Sequence, residues 1–261
     1  PGRNAVTVSA LMVGIAIMIG VGIMIQSFRQ TVEAWIDQTV MADLVVATPG
    51  WPTGEEGGMH AKRMPLAWAA RAAAVPGVAA VDTYRDLTIE IEGRPVSLVS
   101  RDLRVHAERS RYLFVNGDSA ELLPRTVTAH GVVISEVLAG RLGVREGSML
   151  TMMTPAGDRS FPVIGVFYDY ATDGGKLVMD RSLYRTLWDD DTTTVIAVYV
   201  APDAEAGAVR QRLADAMGQV GQIVVITNRE IKREILAIFD RTFAVTYALE
   251  FIAVAIALLG I

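Results

Sequence analysis

The nearest approach to a phosphate-binding loop in this 261-residue chain is Gly174-Gly175-Lys176. A working loop needs G-x-x-x-x-G-K-[ST], so that backbone amides and the lysine can cradle phosphates. Here Leu177 comes after the lysine and the upstream glycine is missing at the required offset, so the run reads as a turn. Ser135 lies in VVISEV rather than G-x-S-x-G, which makes it a helix-start residue and not a nucleophile. His60, His106 and His130 are far apart and outside any metal-ligand spacing, and each reads as a surface or loop residue. Asp189-Asp190-Asp191 lacks the spacing and glycine of a calcium loop and reads as a solvated helix end. With no cysteine there are no disulfides or thiolate metal sites. No enzymatic activity, cofactor or metal is expected of these residues.

One ionisable residue lies where it costs energy. Glu250 is the single charge in FAVTYALEFIAVAIALLGI, Phe243 to Ile261. A carboxylate at the centre of a bilayer costs about 2.5–3.5 kcal/mol and usually faces protein. Two readings fit: a polar contact to another helix or a translocation surface, or a protonated or snorkelling glutamate near the headgroups.

That segment has a counterpart at the other end, where Asn4 to Phe28 carries no charge. Ala5 to Ile25 supplies about the 20 apolar residues needed to cross roughly 30 Å of hydrocarbon. It lacks the basic cluster and small-residue cleavage site of a secretory signal. Two membrane-spanning helices are therefore expected, over 5–26 and 243–261. Each carries small residues four apart, such as Ala10/Gly14 and Ala244/Ala248, a spacing that permits close packing in lipid. The chain starts without methionine and stops inside an apolar run, so it reads as cut from a longer protein. Of 24 basic and 29 acidic residues, only Arg3 and Glu250 belong to the apolar ends. The mildly acidic middle lacks the basic face that nucleic acid requires.

Both spans continue as amphipathic helices, expected over 27–41 and 228–242, the second capped by Asn228. Phe28, Val32, Trp35, Ile36 and Val40 form one stripe, with Arg29, Glu33 and Asp37 off it. Ile231, Ile235, Ile238 and Phe239 share a face of the second. If both helices leave the membrane at similar heights, partners have residue numbers summing to about 270 at equal rise. Phe28 then meets Thr242, Val32 meets Ile238, Ile36 meets Ile235, and Val40 meets Ile231. The result is an antiparallel stalk, although each stripe could also pack on the domain's own sheet.

Between the stalk helices, strands are expected at 42–48, 78–91 and 94–101, the last two a hairpin turning at Glu92-Gly93. A loop covers 49–62 and a short helix 65–75. No periodicity is legible over 104–125. Then come strand 132–135, helix 136–142, a hairpin of 149–154 with 160–168, and strand 177–179. A helix capped by Asp180 runs to Trp188, and after it come strand 195–200, helix 204–218 and strand 223–226. Gly165 marks a bulge or a close backbone approach. The fold class is α+β: an α/β subdomain over 42–103 and 194–227, with a mostly-β subdomain, 104–193, inserted in it.

The stretch GVVISEVLAGRLGVREGSMLTMMTPAGDRSFPVIGVF, Gly131 to Phe167, resembles the periplasmic-domain pattern of FtsX/MacB-like ABC transporter permeases. Ser148 stands where that pattern often has an acidic residue. FAVTYALEFIAVAIALLGI is similar to the entry into that family's C-terminal permease segment. The resemblance implies a multi-pass permease of the bacterial inner membrane with the large domain extracytoplasmic. It implies a cytoplasmic ATP-binding subunit as partner, a homo- or heterodimeric permease, contact with membrane lipid, and movement or export of lipid, lipoprotein or hydrophobic molecules. A membrane-anchored sensor or receptor would share the helix–domain–helix layout and differ in the segment beyond Ile261, which would be a signalling region instead of further spans.

Overall fold

The computed structural model describes residues 2–39, 41–49, 51, 63–170 and 172–259. The loop expected over 49–62 and the stripe residue Val40 fall largely or wholly outside the described residues. Helix α1 (Gly2–Thr39) runs unbroken from the expected first span into the amphipathic stretch. Two compact units emerge, one of residues 1–36 with 232–261 and one of residues 37–231.

In the first unit the apolar side chains are turned outward. Met12 is 66% exposed and Ile23 62%, whereas burial keeps to a narrow line through Ile25, Val32 and Ile36. Among the described residues, Met12–Asp37 is long and apolar enough to cross a membrane. Such outward greasiness is costly in water and suits hydrocarbon. Most side chains of the second expected span, Glu250 included, lie outside those described.

The second unit opens with β1 (Leu44–Ala47), β2 (Met64–Pro65), α2 (Ala67–Ala73), β3 (Val78–Ile91) and β4 (Arg94–Arg101). Next in the chain are α3 (Leu103–Arg109), α4 (Ser119–Thr128), β5 (Val132–Ser135), α5 (Glu136–Leu142), β6 (Met149–Thr154), β7 (Gly157–Phe167), β8 (Lys176–Asp180) and α6 (Arg181–Trp188). Last come β9 (Thr192–Thr193), β10 (Val195–Val200), α7 (Ala206–Gly218) and β11 (Val224–Thr227), before α8 (Asn228–Leu259). Nine strands form one sheet in the order β11-β1-β10-β3-β4-β8-β5-β7-β6. The outer five on one side come from the blocks flanking 104–193 and the four on the other from within it. Parallel pairing of β4 with β8, Ser97↔Lys176 through Arg101↔Asp180, is the seam.

Sequence pattern tracks position in the sheet. The runs LVVA of β1 and VIAVYV of β10 are buried almost throughout, as interior strands covered on both faces must be. Val209, Leu213 and Met217, four apart on α7, pack with α2 onto β1 and β10. In the other half, Leu138, Tyr184, Leu150 and Phe161 close a core over Ile91, Leu98 and Ile134. Strand β6 at the sheet's end alternates exposed and buried, one face wet.

Helices α3 and α4 occupy the stretch without legible periodicity. Asp102 and Asp118 cap them by accepting backbone N–H groups of Val105 and Ala120. Pro124 sits inside α4 and removes a backbone donor. Gly165 lies beside a bulge, since Val132 pairs with Val163 but Val133 with Gly165. A Cβ there would meet the Phe114 ring at 2.8 Å.

Candidate functional site

The residues singled out for coupling start with Phe28, on the amphipathic part of α1. Its ring packs on Phe239 at 5.5 Å between centroids and on Phe243 at 6.2 Å, and those two rings lie 4.6 Å apart. These partners stand either side of Thr242, the residue expected opposite Phe28. Thr242 is exposed and its hydroxyl donates to the Ile238 carbonyl. An aromatic ring gains more from apolar rings one turn apart than from a hydroxyl. Beside the rings, Arg29 Nε donates to Glu33 at 3.0 Å and Arg29 Nη1 to Asp240 at 2.6 Å. Val32 and Ile36 are buried and Ile235 half-buried, whereas Ile238 is 50% exposed. Ile231 is buried at the start of α8.

That start is built differently from the sequence expectation. Thr227, not Asn228, closes the cap: the Glu230 carboxylate accepts the Thr227 N–H at 2.7 Å, and the Thr227 hydroxyl accepts the Glu230 N–H at 3.2 Å. This is the T-x-x-E capping box, a signal open to the sequence. Asn228 instead donates its side-chain amide to the Ala42 carbonyl. Glu230 also pairs with Arg210 of α7 at 3.2 Å, so the first turn of α8 is tied to the sheet's own helix.

A second cluster lies where β3, β4 and α3 meet. Asp82 is fully buried and receives Arg101 Nε at 2.9 Å, Arg101 Nη2, and the Asp102 backbone N–H at 3.1 Å. Burial works to raise its carboxyl pKa, but Arg101 and His106 outweigh that and hold it below the usual carboxylate value. Burial alone would lower the Arg101 pKa; Asp82 more than reverses this, so Arg101 stays charged. His106, expected at the surface, is 1% exposed. Its Nε2 faces Arg101 Nη1 at 3.5 Å and its Nδ1 faces the Asp82 carboxylate at 3.6 Å. Burial, then the adjacent guanidinium, push its pKa down to about 4, so it is neutral at pH 7. A neutral ring with its proton on Nδ1 suits both neighbours. His130 is exposed, and His60 lies outside the described residues.

Of the aspartate run, Asp189 and Asp191 are exposed at the end of α6, as a solvated helix end would be, whereas Asp190 turns inward. Asp190 takes Arg85 Nε at 2.8 Å, the Tyr184 hydroxyl at 2.7 Å and the Thr192 N–H at 2.9 Å. Asp191 pairs with Arg185 at 2.6 Å. Asp189 adopts a positive φ at the end of α6. Lys176, from the phosphate-loop decoy, donates to the buried Asp169 at 3.0 Å. Ser135 caps α5 and receives the Leu138 and Lys176 N–H groups. Each of these polar groups is spent on structure, and among the described residues no group of His, Cys, Asp and Glu could hold a metal.

The profile of the MacB-like periplasmic core domain family matches residues 5–216. A protein named as an ABC transporter permease of Mycobacterium tuberculosis (strain ATCC 25618 / H37Rv) is 31% identical over 262 residues, covering 99% of this chain and 30% of its own length. The chain thus spans about a third of that relative. The periplasmic region of MacB from Actinobacillus actinomycetemcomitans matches 77% of this chain and 95% of its own, with TM-score 0.56 and 13% identity, a likeness of fold. The extracellular domain of the ABC-type transporter YknZ from Gram-positive bacteria gives TM-score 0.47 at 13% identity, covering 71% of this chain and 99% of its own.

Proposed function

The chain belongs to the MacB-like periplasmic core domain family, and from that premise we propose that it is the spanning and outer part of an ABC transporter permease whose stalk transmits ATP-driven movement. In this reading a cytoplasmic ATP-binding subunit hydrolyses ATP, and the permease, as a homo- or heterodimer in the inner membrane, moves lipid, lipoprotein or another hydrophobic molecule outside. Phe28, Val32 and Ile36 on α1, with Ile231, Ile235, Ile238 and Thr242 on α8, form the coupling stripe, joined by Phe239, Phe243 and the Arg29–Asp240 pair. Val40 continues that stripe by spacing, and Glu250 supplies a polar contact within the membrane.

The observation that carries the reading is the joint at Phe28. Two helices that run unbroken out of apolar ends are held by the aromatic contacts of Phe28 and by the Arg29–Asp240 ion pair, which is what a transmitted shift would have to pass through. Among the described residues, Lys176, Ser135 and Asp190 are engaged structurally, and the reading assigns this chain a mechanical part. The test is reconstitution of the full-length permease in vesicles containing a fluorescent lipoprotein, with and without its ATP-binding subunit. Release that needs ATP and both subunits is expected. Release by the permease alone, or magnesium-dependent ATP hydrolysis by this chain that is lost in Lys176→Ala, would contradict the assignment.

A further inference from the structure

Six neighbouring strands of the sheet, β3-β4-β8-β5-β7-β6, curl until the first and last approach each other. Cα atoms of β3 and β6 lie within 8 Å, yet no ladder joins the two strands. A ladder needs a spacing of about 4.8 Å, and a strand inserted between two others about twice that. The gap is thus too narrow to admit another strand and unzipped as it stands. Between the hairpin tips, Ile89–Gly93 on one side and Thr151–Pro155 on the other, it widens into a cleft of about 570 Å³.

Strand directions follow from the pairings. Three of the five steps from β3 round to β6 are antiparallel and two parallel, so β3 and β6 run antiparallel to each other. The two-residue turn Glu92-Gly93, with φ of 53° and 70°, makes Ile91 and Arg94 a hydrogen-bonded pair. By alternation, Thr88 and Glu90 turn their N–H and C=O groups away from β4 and into the gap. The turn Pro155-Ala156 likewise pairs Thr154 with Gly157 and turns the groups of Thr151 and Met153 away from β7. Pairing of β3 with β10 ends at Tyr84, and these outward groups have no backbone partner among the described residues.

Side chains fix a register. The cleft lining centres on Ile91 in β3 and on Met153 in β6. Ile91, Met152 and Thr154 are buried and Ile89 packs on the same core, whereas Glu90 and Met153 are exposed. Setting Glu90 opposite Met153 places Ile91 opposite Met152 and Ile89 opposite Thr154. Core residues then face core residues, exposed ones face exposed ones, and the outward groups of Glu90 and Met153 meet. A slip of one residue breaks both matches. Strand β6 has no lysine, proline or bulge to block pairing at this edge.

We infer that the gap is a closing seam: β3 and β6 zip directly to each other, Glu90 against Met153, and turn an open half-barrel into a closed one. Closing moves the strands by at most about 3 Å, the step from a Cα spacing of 8 Å to that of a ladder. It breaks no existing pair and shuts the cleft over Ile89 and Met152. The outer domain thereby has two states that differ by one ladder, whatever the chain transports.

Single-amide hydrogen exchange on the whole chain in nanodiscs reads the seam. After correction for intrinsic rates, the Glu90 and Met153 amides should exchange about tenfold or more slowly than that of Met149. The Met149 N–H points out of the same edge but lies beyond the end of β3 in this register. Glu90→Pro and Met153→Pro each remove an outward N–H and leave the hairpin ladders whole, and each should free the amide on the opposite strand. The chain has no cysteine, so Glu90→Cys with Met153→Cys should give a disulfide under mild oxidation. Glu90→Cys with Thr151→Cys, two residues out of register, should not. Exchange of both amides at the Met149 rate overturns the seam, as does protection that survives both proline variants. Failure of the Glu90/Met153 disulfide, or equal yield from the two cysteine pairs, overturns it too.

Discussion

The ion pairs of Arg29 and Arg101 are made of the same two groups in opposite surroundings. In the stalk, Arg29 and Asp240 are 35% and 51% exposed. In the outer domain, Arg101 is 11% exposed and Asp82 fully buried, with the Asp102 amide completing the carboxylate's bonds. Water can replace either partner of the first pair at little cost, and salt screens it. Nothing can replace a partner of the second, because an unpaired charge would be left in a dry interior. On the proposed function, the difference would give a permease a stiff outer part and a joint that opens and remakes. The Asp82–Arg101 pair clamps β3 to β4 beside the seam of the sheet, whereas the Arg29 pair holds one level of the stalk.

The largest effect is expected where the comparison is sharpest. Arg101→Met strands Asp82 and should cost about 3–5 kcal/mol of unfolding free energy. Urea unfolding monitored by tryptophan fluorescence checks this, and a loss near that of a surface substitution would erase the distinction between the two pairs.

Acid should act on the same cluster next. His106 is held near 4 in the fold, against an ordinary value of 6.5. Between those values the unfolded chain binds the extra proton, so stability rises with pH and falls as pH is lowered through the window. The loss is at most about 3 kcal/mol by pH 4. Asp82, held below its ordinary carboxylate value, adds a further loss once the pH drops under 3.8. Unfolding curves of the wild type and His106→Phe from pH 7 to 4 test the sign: the variant should lose this part of the pH dependence.

The smallest effect belongs to the stalk. Asp240→Asn should cost under about 1 kcal/mol and vanish in high salt. A salt-independent loss of several times that size would make the joint a clamp like Asp82–Arg101.

Legibility in the sequence depended on whether a residue answers to its neighbours in the chain or to distant ones. Hairpin β3–β4 and the β5–α5 unit could be read residue by residue, because alternation, the Glu92-Gly93 turn and the Ser135 cap are local signals. Helices α3 and α4 were not, being short and, in α4, interrupted by Pro124, although Asp118 with Glu121 three residues on is a helix-start pattern. The buried cluster left no local trace: Asp82, Arg101 and His106 are ordinary charged residues until pairing brings them together. The joint was half legible. Stripe spacing placed Phe28 and Phe239 on the apolar faces, but which rings meet depends on the register and rotation of two separate helices.

The most direct test of the account is a reversible lock on that joint. The native chain has no cysteine. Phe28→Cys combined with Phe239→Cys, in the full-length permease reconstituted with its ATP-binding subunit, should oxidise to a disulfide, while Gln30→Cys with Arg241→Cys, on the opposite helix faces, should not. Oxidised Phe28/Phe239 protein should show less ATP-dependent release than the same protein after reduction, whose own release is set below wild type by loss of the two rings. Undiminished release with the lock fully formed, or no disulfide at that pair, would contradict a stalk that transmits movement through Phe28.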